Sequence, residues 1–253
     1  MFKIKRNGVF RARLVACGYS QVPGLDFNDS FAPVVNDVTF RILLVAMLVW
    51  NLKAKIIDVE TAFLHGDLKE EIFMEIPKGM DADKEDCLSL NKTIYGLVQS
   101  ARQFYIKLVE ALKSCGFKGS EVDPCLWTKH SSLGMVMMAI YVDDCLTIGT
   151  DEAIEEVINA LKGHNFGLKV EDNLTDYLSC KIVQERDKGK AWIMQPHLID
   201  NLEKKFGEEV SGMKGYTTPG TPRFKIVRPT SELEGIEGDI QSRYRSGVGM
   251  LLI

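Results

Sequence analysis

Two short apolar runs, Met135 to Val142 and Cys145 to Gly149, are separated only by Asp143 and Asp144. Apolar segments joined so tightly can pair only as a β-hairpin, which puts both carboxylates at its tip. The flanking pattern extends this constraint. Ala54 to Glu60 reads as a strand ending near Asp58. Ser100 to Ser114 reads as a helix, with Phe104, Leu108 and Leu112 four apart and Gly116 as the stop. Asp151 is read as the cap of a second helix over 151–162, whose apolar side carries Ile154, Val157, Ile158 and Leu161, and a last strand is expected at about 167–171.

This is a βαββαβ order, the connectivity of a ferredoxin-like α+β sheet. Right-handed crossovers make the first two strands parallel and set the third between them, antiparallel to both. The end of the first strand then lies beside the central hairpin, so topology alone brings Asp58 to Asp143 and Asp144. Adjacent acids at the end of an apolar strand repel each other and resist desolvation. A divalent cation relieves both costs, and magnesium favours such oxygen ligands. In a flat strand Asp143 and Asp144 point to opposite faces, so a tight turn is needed to aim both at one place. The plainer alternative is that Asp-Asp serves only as turn chemistry.

Elsewhere, residues 2–16 read as a hairpin about Asn7-Gly8, with Lys3 and Lys5 sharing a face of one strand and Arg11 and Arg13 a face of the other. Residues 38–50 read as a buried helix, and Glu70 to Ile76 as a strand within a structured 64–98 segment. Tyr177 to Glu185 and Ala191 to Met194 read as a hairpin. Pro196 opens a helix that Gly207 closes, and 208–240 reads as linker. No apolar run is long enough to span a membrane, and the basic N-terminus lacks the apolar stretch of a signal peptide. The six cysteines form no C-x-x-C pair, so buried thiols are expected rather than zinc or disulfides. A net charge of −4 argues against a uniformly basic nucleic-acid binder, but the first 25 residues hold five Lys and Arg and no acid.

Tyr141-Val142-Asp143-Asp144 resembles the Y-x-D-D box of reverse transcriptases. The neighbouring motifs are similar to those of the copia-type long-terminal-repeat retrotransposon family. They are Arg11-Ala-Arg-Leu-Val-Ala-Cys-Gly-Tyr-Ser-Gln21, Phe31-Ala-Pro-Val-Val35, Asp58-Val-Glu-Thr-Ala-Phe-Leu-His-Gly-Asp-Leu68 and Tyr95-Gly-Leu-Val-Gln-Ser-Ala-Arg102, in the family's order over roughly 2–250. The resemblance implies a right-hand polymerase: fingers at 1–33 and 64–98, a palm at 34–63 and 99–190, and a truncated thumb-like connection at 191–253. It implies RNA- or DNA-templated DNA synthesis onto a primer from deoxynucleoside triphosphates, with two Mg²⁺ or Mn²⁺ ions on the catalytic Asp58, Asp143 and Asp144. Phe63 falls where an aromatic lies beneath the incoming sugar, though core packing also explains it. Gln99, Arg11 and Arg13 fall at nucleotide- or template-facing positions, and Tyr141, Tyr177 and Leu178 near the primer.

The sequence departs from the family pattern at Cys17, where Lys or Arg is usual, at Val98, where Lys is common, and at Ser179, where Gly is usual. The ends read as cut, without the ribonuclease H, integrase or protease regions of a parent polyprotein. The competing expectation is an inactive relic that at most binds nucleic acid. A two-metal nuclease accounts for the acids but not for Gln99 or the basic hairpin.

Overall fold

The computed structural model describes residues 2–4, 8–77, 79–80, 83, 86–212 and 238–251. The chain forms two compact units, one of Met1–Thr175 with Gln184–Ala191, the other of Asp176–Val183 with Trp192–Ile253.

The first unit is built on a six-stranded antiparallel sheet. Lys53–Val59 has Leu168–Glu171 on one side and Asp144–Gly149 on the other; Gly134–Tyr141, Leu126–Ser131 and Lys118–Gly119 follow outward. Asp144–Gly149 therefore lies between the strand before it in the chain and Lys53–Val59, antiparallel to both. Ile57, Met138, Ala139, Ile140, Leu146 and Ile148 are essentially inaccessible, so the middle of the sheet is the core. Burial of these side chains, each contributing about 1.5–3 kcal/mol, sets the pairing. A one-residue slip would send every buried side chain to the opposite face. The two outer strands at 118–119 and 126–131 were not anticipated. Trp127 is buried while polar Thr128, Lys129 and His130 hide the alternation.

Among the described residues, three α-helices belong to this unit: α1 (Asp37–Val49), α2 (Ser100–Ser114) and α3 (Asp151–Gly163). Phe104, Leu108 and Leu112 of α2 are fully buried, and Ile154, Val157, Ile158 and Leu161 of α3 face the core. The cap of α3 is Thr150, not Asp151; the Thr150 hydroxyl donates to the Leu133 carbonyl, and Asp151 is the first helical residue. Helix α1 is only half buried. Phe40, Leu43, Leu44 and Met47 pack inward, whereas Val38, Ile42, Val45 and Val49 are each more than half exposed, because a continuous apolar run conceals which face packs. Its start is tied down by Asp123, whose carboxylate accepts from the Asn36 and Cys125 N–H groups and the Thr39 hydroxyl. Burial opposes ionisation of Asp123, but these bonds outweigh it and hold the carboxyl below its ordinary pKa.

The remaining strands are short. Phe2–Ile4 pairs with Phe10–Ala12, matching Lys3 with Arg11, while Asn7 lies outside the described residues. The expected strand over 70–76 shortens to Phe73–Glu75, paired with Cys87–Ser89.

Further along the chain, Tyr177–Glu185 is not one strand. Asp176–Tyr177 folds back on the following strand with Tyr177 opposite Cys180, leaving Leu178 and Ser179 as a two-residue turn with φ of +50° and +64°. Lys190–Met194 completes a three-stranded sheet. Helix α4 (Pro196–Val210) runs through Gly207, which a helix tolerates at a cost of about 1 kcal/mol. Helix α5 (Gly238–Leu251) replaces the last part of the expected linker, and 213–237 lies outside the described residues. The Phe206 ring lies against Gly247, while Tyr244 and Leu251 remain exposed. Among the described residues no helix is long and apolar enough to cross a membrane.

Two consecutive non-glycine residues at positive φ are costly, since a Cβ crowds the carbonyl oxygen there. Ser179→Gly is expected to stabilise the protein by about 1 kcal/mol, read as a higher urea midpoint at unchanged slope. An unchanged or lower midpoint would show that the turn is not strained.

Candidate active site

Asp58 is the penultimate residue of Lys53–Val59, and its partner across the ladder is Asp144. Directly paired residues project to the same face, with Cβ atoms about 4.5–5.5 Å apart. Two carboxylates thus face each other, which destabilises a sheet unless something offsets the repulsion. The row continues in both directions, for Lys169 is the partner of Asp58 on its other side and Tyr141 that of Asp144. Lys169, Asp58, Asp144 and Tyr141 form one line across four strands.

Asp143 reaches the same place by a different device. Tyr141 pairs with Asp144, so Val142 and Asp143 are the whole turn, and Val142 sits at φ +54°. That conformation is unusual for a β-branched residue, and the surrounding apolar strands enforce it. The Val59 N–H donates to the Asp143 carbonyl at 3.0 Å, which ties the turn to the Asp58 strand.

The electrostatics follow from this crowding. Burial, then Asp143 and Asp58, push the Asp144 carboxyl up to about 6, with Lys169 opposing. Burial and then Asp143 also raise Asp58, again against Lys169. Lys169 was not singled out in the sequence; its signal is the alternation of 168–171, which puts it on the acid face, where it also pairs with Glu171. Among the described residues, none donates a hydrogen bond to the three carboxylates. Nor are three His, Cys, Asp or Glu side chains gathered into a finished metal-ligand set. The donor chemistry nonetheless suits a hard cation, being all oxygen, mutually repelling and without a hydrogen-bond donor among the described residues.

Phe63 sits in the turn Ala62–His65 beyond Asp58, half-buried, its ring 4.7 Å from that of Tyr95 and 6.5 Å from that of Phe104. The Arg13 guanidinium lies 4.5 Å over the other partner, Tyr95, and Arg11 is exposed on its short strand. Gln99 is only 1% exposed; its amide donates to the Asp26 carbonyl and its oxygen accepts from Gln21. Gln21 in turn accepts from the Val98 N–H at 2.7 Å. Gln99 therefore has an internal occupation, binding two motifs together. Tyr141 is partly exposed at the sheet rim. Tyr177 and Leu178 belong to the second unit, where Tyr177 is buried and Leu178 forms the turn. Arg102 donates to the Phe31 carbonyl and pairs with Asp29, and the Val35 N–H donates to Ile140, joining the Phe31–Val35 motif to the central hairpin.

A carboxyl raised in the folded state takes up a proton on folding. Asp144 thus favours the folded protein less and less as pH climbs from about 4, its unfolded value, to about 6. In chelator, Asp144→Asn is expected to raise stability at pH 7.5 by about 1–2 kcal/mol after screening, with the gain vanishing near pH 4. Thermal melts across this range check it, and no gain at pH 7.5 would mean the acids do not repel.

The chain matches the family described as reverse transcriptase (RNA-dependent DNA polymerase) over residues 1–222. It is similar to the Retrovirus-related Pol polyprotein from transposon TNT 1-94 of Nicotiana tabacum, at 34% identity over 100% of this chain and 20% of that protein. The Retrovirus-related Pol polyprotein from transposon RE2 of Arabidopsis thaliana is 36% identical over 92% of this chain and 16% of its own length. The Truncated transposon Ty1-A Gag-Pol polyprotein of Saccharomyces cerevisiae is 26% identical, over 92% and 20%. The chain thus spans about a fifth or less of the curated relatives it matches. No solved structure matches it. A sheet that aligns two facing carboxylates, a turn that adds a third and a match over most of the length lead to one assignment: the chain belongs to the reverse transcriptase family, as a domain of the copia type.

Proposed function

We propose that this chain polymerises DNA, copying an RNA or DNA template by transferring deoxynucleotides to a primer 3′-hydroxyl. The observation that carries the reading is the ladder pairing of Asp58 with Asp144, with Asp143 in the turn between the adjoining strands. In this reading the six-stranded sheet with α2 and α3 is a ferredoxin-like palm at 34–63 and 99–190. Residues 1–33 and 64–98 are fingers, and 191–253 a thumb-like connection. The chain acts as one part of a longer Pol polyprotein, with no membrane involved.

Asp58, Asp143 and Asp144 are the residues that would hold two Mg²⁺ or Mn²⁺ ions. Such ions lower the pKa of an attacking hydroxyl and neutralise a leaving pyrophosphate. The chain's own work is placement. The strand end presents Asp58, the hairpin presents Asp144 opposite it, and the constrained Val142 turns Asp143 toward the same rim. Tyr141, partly exposed beside Asp144, offers a ring to the primer terminus, and Tyr177 and Leu178 are carried over as primer-facing residues on the family resemblance alone. Phe63 bars a 2′-hydroxyl from the incoming sugar. Arg11 and Arg13 face phosphate of the template or triphosphate, and Gln99 supports the nucleotide site by holding Gln21 and the backbone at Asp26.

The reading as an inactive remnant draws on the net charge of −4 and on Cys17 in place of a basic residue. Primer extension on poly-rA separates the two. Wild-type protein is expected to extend a DNA primer with Mg²⁺ or Mn²⁺, and Asp143→Asn to lose at least about 100-fold in rate. Folded wild-type protein that extends nothing would leave the remnant; extension surviving in Asp143→Asn would remove the carboxylates from the chemistry.

A further inference from the structure

The segment Thr93–Gln99 is held by two other motifs at once. On one side the Thr93 hydroxyl and the Gly66 N–H both donate to the Phe63 carbonyl, and the Thr93 N–H donates to the Gly66 carbonyl. On the other, the Ala16 N–H donates to the Tyr95 carbonyl at 2.8 Å. Gly18 crosses Gly96 so closely that a Cβ at position 18 would fall 2.1 Å from the Gly96 oxygen. Between these anchors the Tyr95 ring is stacked. Arg13 lies over it at 4.5 Å, and Phe63 is tilted against it at 57° with centroids 4.7 Å apart. Phe63 in turn meets Phe104, which is wholly buried in α2. The Tyr95 hydroxyl has no hydrogen-bond partner among the described residues, so the ring is what the packing uses.

We propose that Tyr95 is a positioning residue for sugar selection, the shared platform that fixes Phe63 beneath the incoming nucleotide and Arg13 beside its phosphates. The proposal rests on the polymerase reading above and adds to it the group that sets the discriminating ring. Excluding one hydroxyl demands a ring that cannot retreat. Phe104 lies against Phe63 on one side, its backbone is pinned by Thr93 and Gly66, and the Tyr95 ring lies against it at 4.7 Å. Without a flat ring at position 95, Phe63 can rotate into the vacated space, and a 2′-hydroxyl is admitted where it had clashed. Arg13 loses its aromatic face in the same step, which weakens phosphate contact for either sugar.

The test uses the full chain and single-nucleotide incorporation, comparing kcat/KM for a deoxyribonucleoside triphosphate with that for its ribonucleotide counterpart. Tyr95→Leu is expected to lower the deoxy-over-ribo ratio roughly tenfold, and Tyr95→Phe to restore it, since the ring is retained. With Phe63→Ala in place, Tyr95→Leu should lower the ratio no further, as expected of residues acting as one unit. A merely structural role would depress both substrates equally and leave the ratio unmoved, and that result overturns the proposal, as does loss of the ratio in Tyr95→Phe. Should Tyr95→Leu not fold, Tyr95→His carries the test, with a smaller ring and an intermediate ratio expected; an unmoved ratio there overturns it too. Wild-type protein that incorporates neither nucleotide rejects the polymerase reading itself, an outcome distinct from incorporation with an unchanged ratio.

Discussion

Like charges placed opposite each other on neighbouring strands are a liability, and this sheet places Asp58 against Asp144 in its interior ladder. The pair persists because the register is set elsewhere. Ile56, Ile57, Leu146, Ile148 and the buried run Val136–Ile140 lock three strands together, and shifting any of them would expose several apolar side chains at once. The repulsion is a local cost that hydrophobic burial over the whole sheet offsets. It appears as raised carboxyl pKa values, with Lys169 as partial compensation from the next strand. The Val142 backbone is held in the same way, in a turn it would not choose alone.

A second organising element is the strap at Thr93–Gln99. It takes a main-chain bond from Ala16, supports the turn of Phe63 and ends in the Gln99 amide that binds Gln21 and the Asp26 carbonyl. Three sequence motifs far apart in the chain are thereby fastened to one another within the first unit. This gives the conspicuous Tyr95-Gly96-Leu97 stretch a physical purpose. Gly96, at φ +95°, allows the crossing with Gly18, Leu97 joins a small apolar cluster with Ala16, Ile72 and Ile94, and Tyr95 supplies the stacked ring.

Legibility of the fold tracked the strength of periodicity. The amphipathic α2 and α3, the central hairpin and the strand carrying Asp58 were readable because burial imposes a regular spacing on them. Helix α1 was readable as a helix but not as a half-exposed one, since apolar residues occupy both of its faces. The strand at 126–131 is hidden in the sequence because polar Thr128, Lys129 and His130 mask the alternation, Lys129 being satisfied by an ion pair with Glu156 of α3 rather than by solvent. Tyr177–Glu185 reads as one strand because neither Leu178 nor Ser179 favours positive φ by itself; only the pairing of Tyr177 with Cys180 forces it on both.

The amino-acid sequence by itself determined the connectivity of the sheet and so the meeting of Asp58 with Asp144, because strand order follows from apolar spacing and the handedness of crossovers. It also carried the motifs that identify the family. Tertiary structure alone decided what Gln99, Gln21, Tyr95 and Lys169 do. A hydrogen bond between amides 78 positions apart, a cation over a ring, or a lysine beside an acid on the next strand leaves no periodic trace along the chain. Such contacts depend on where folded segments lie in space, and that is settled only once the apolar core has closed.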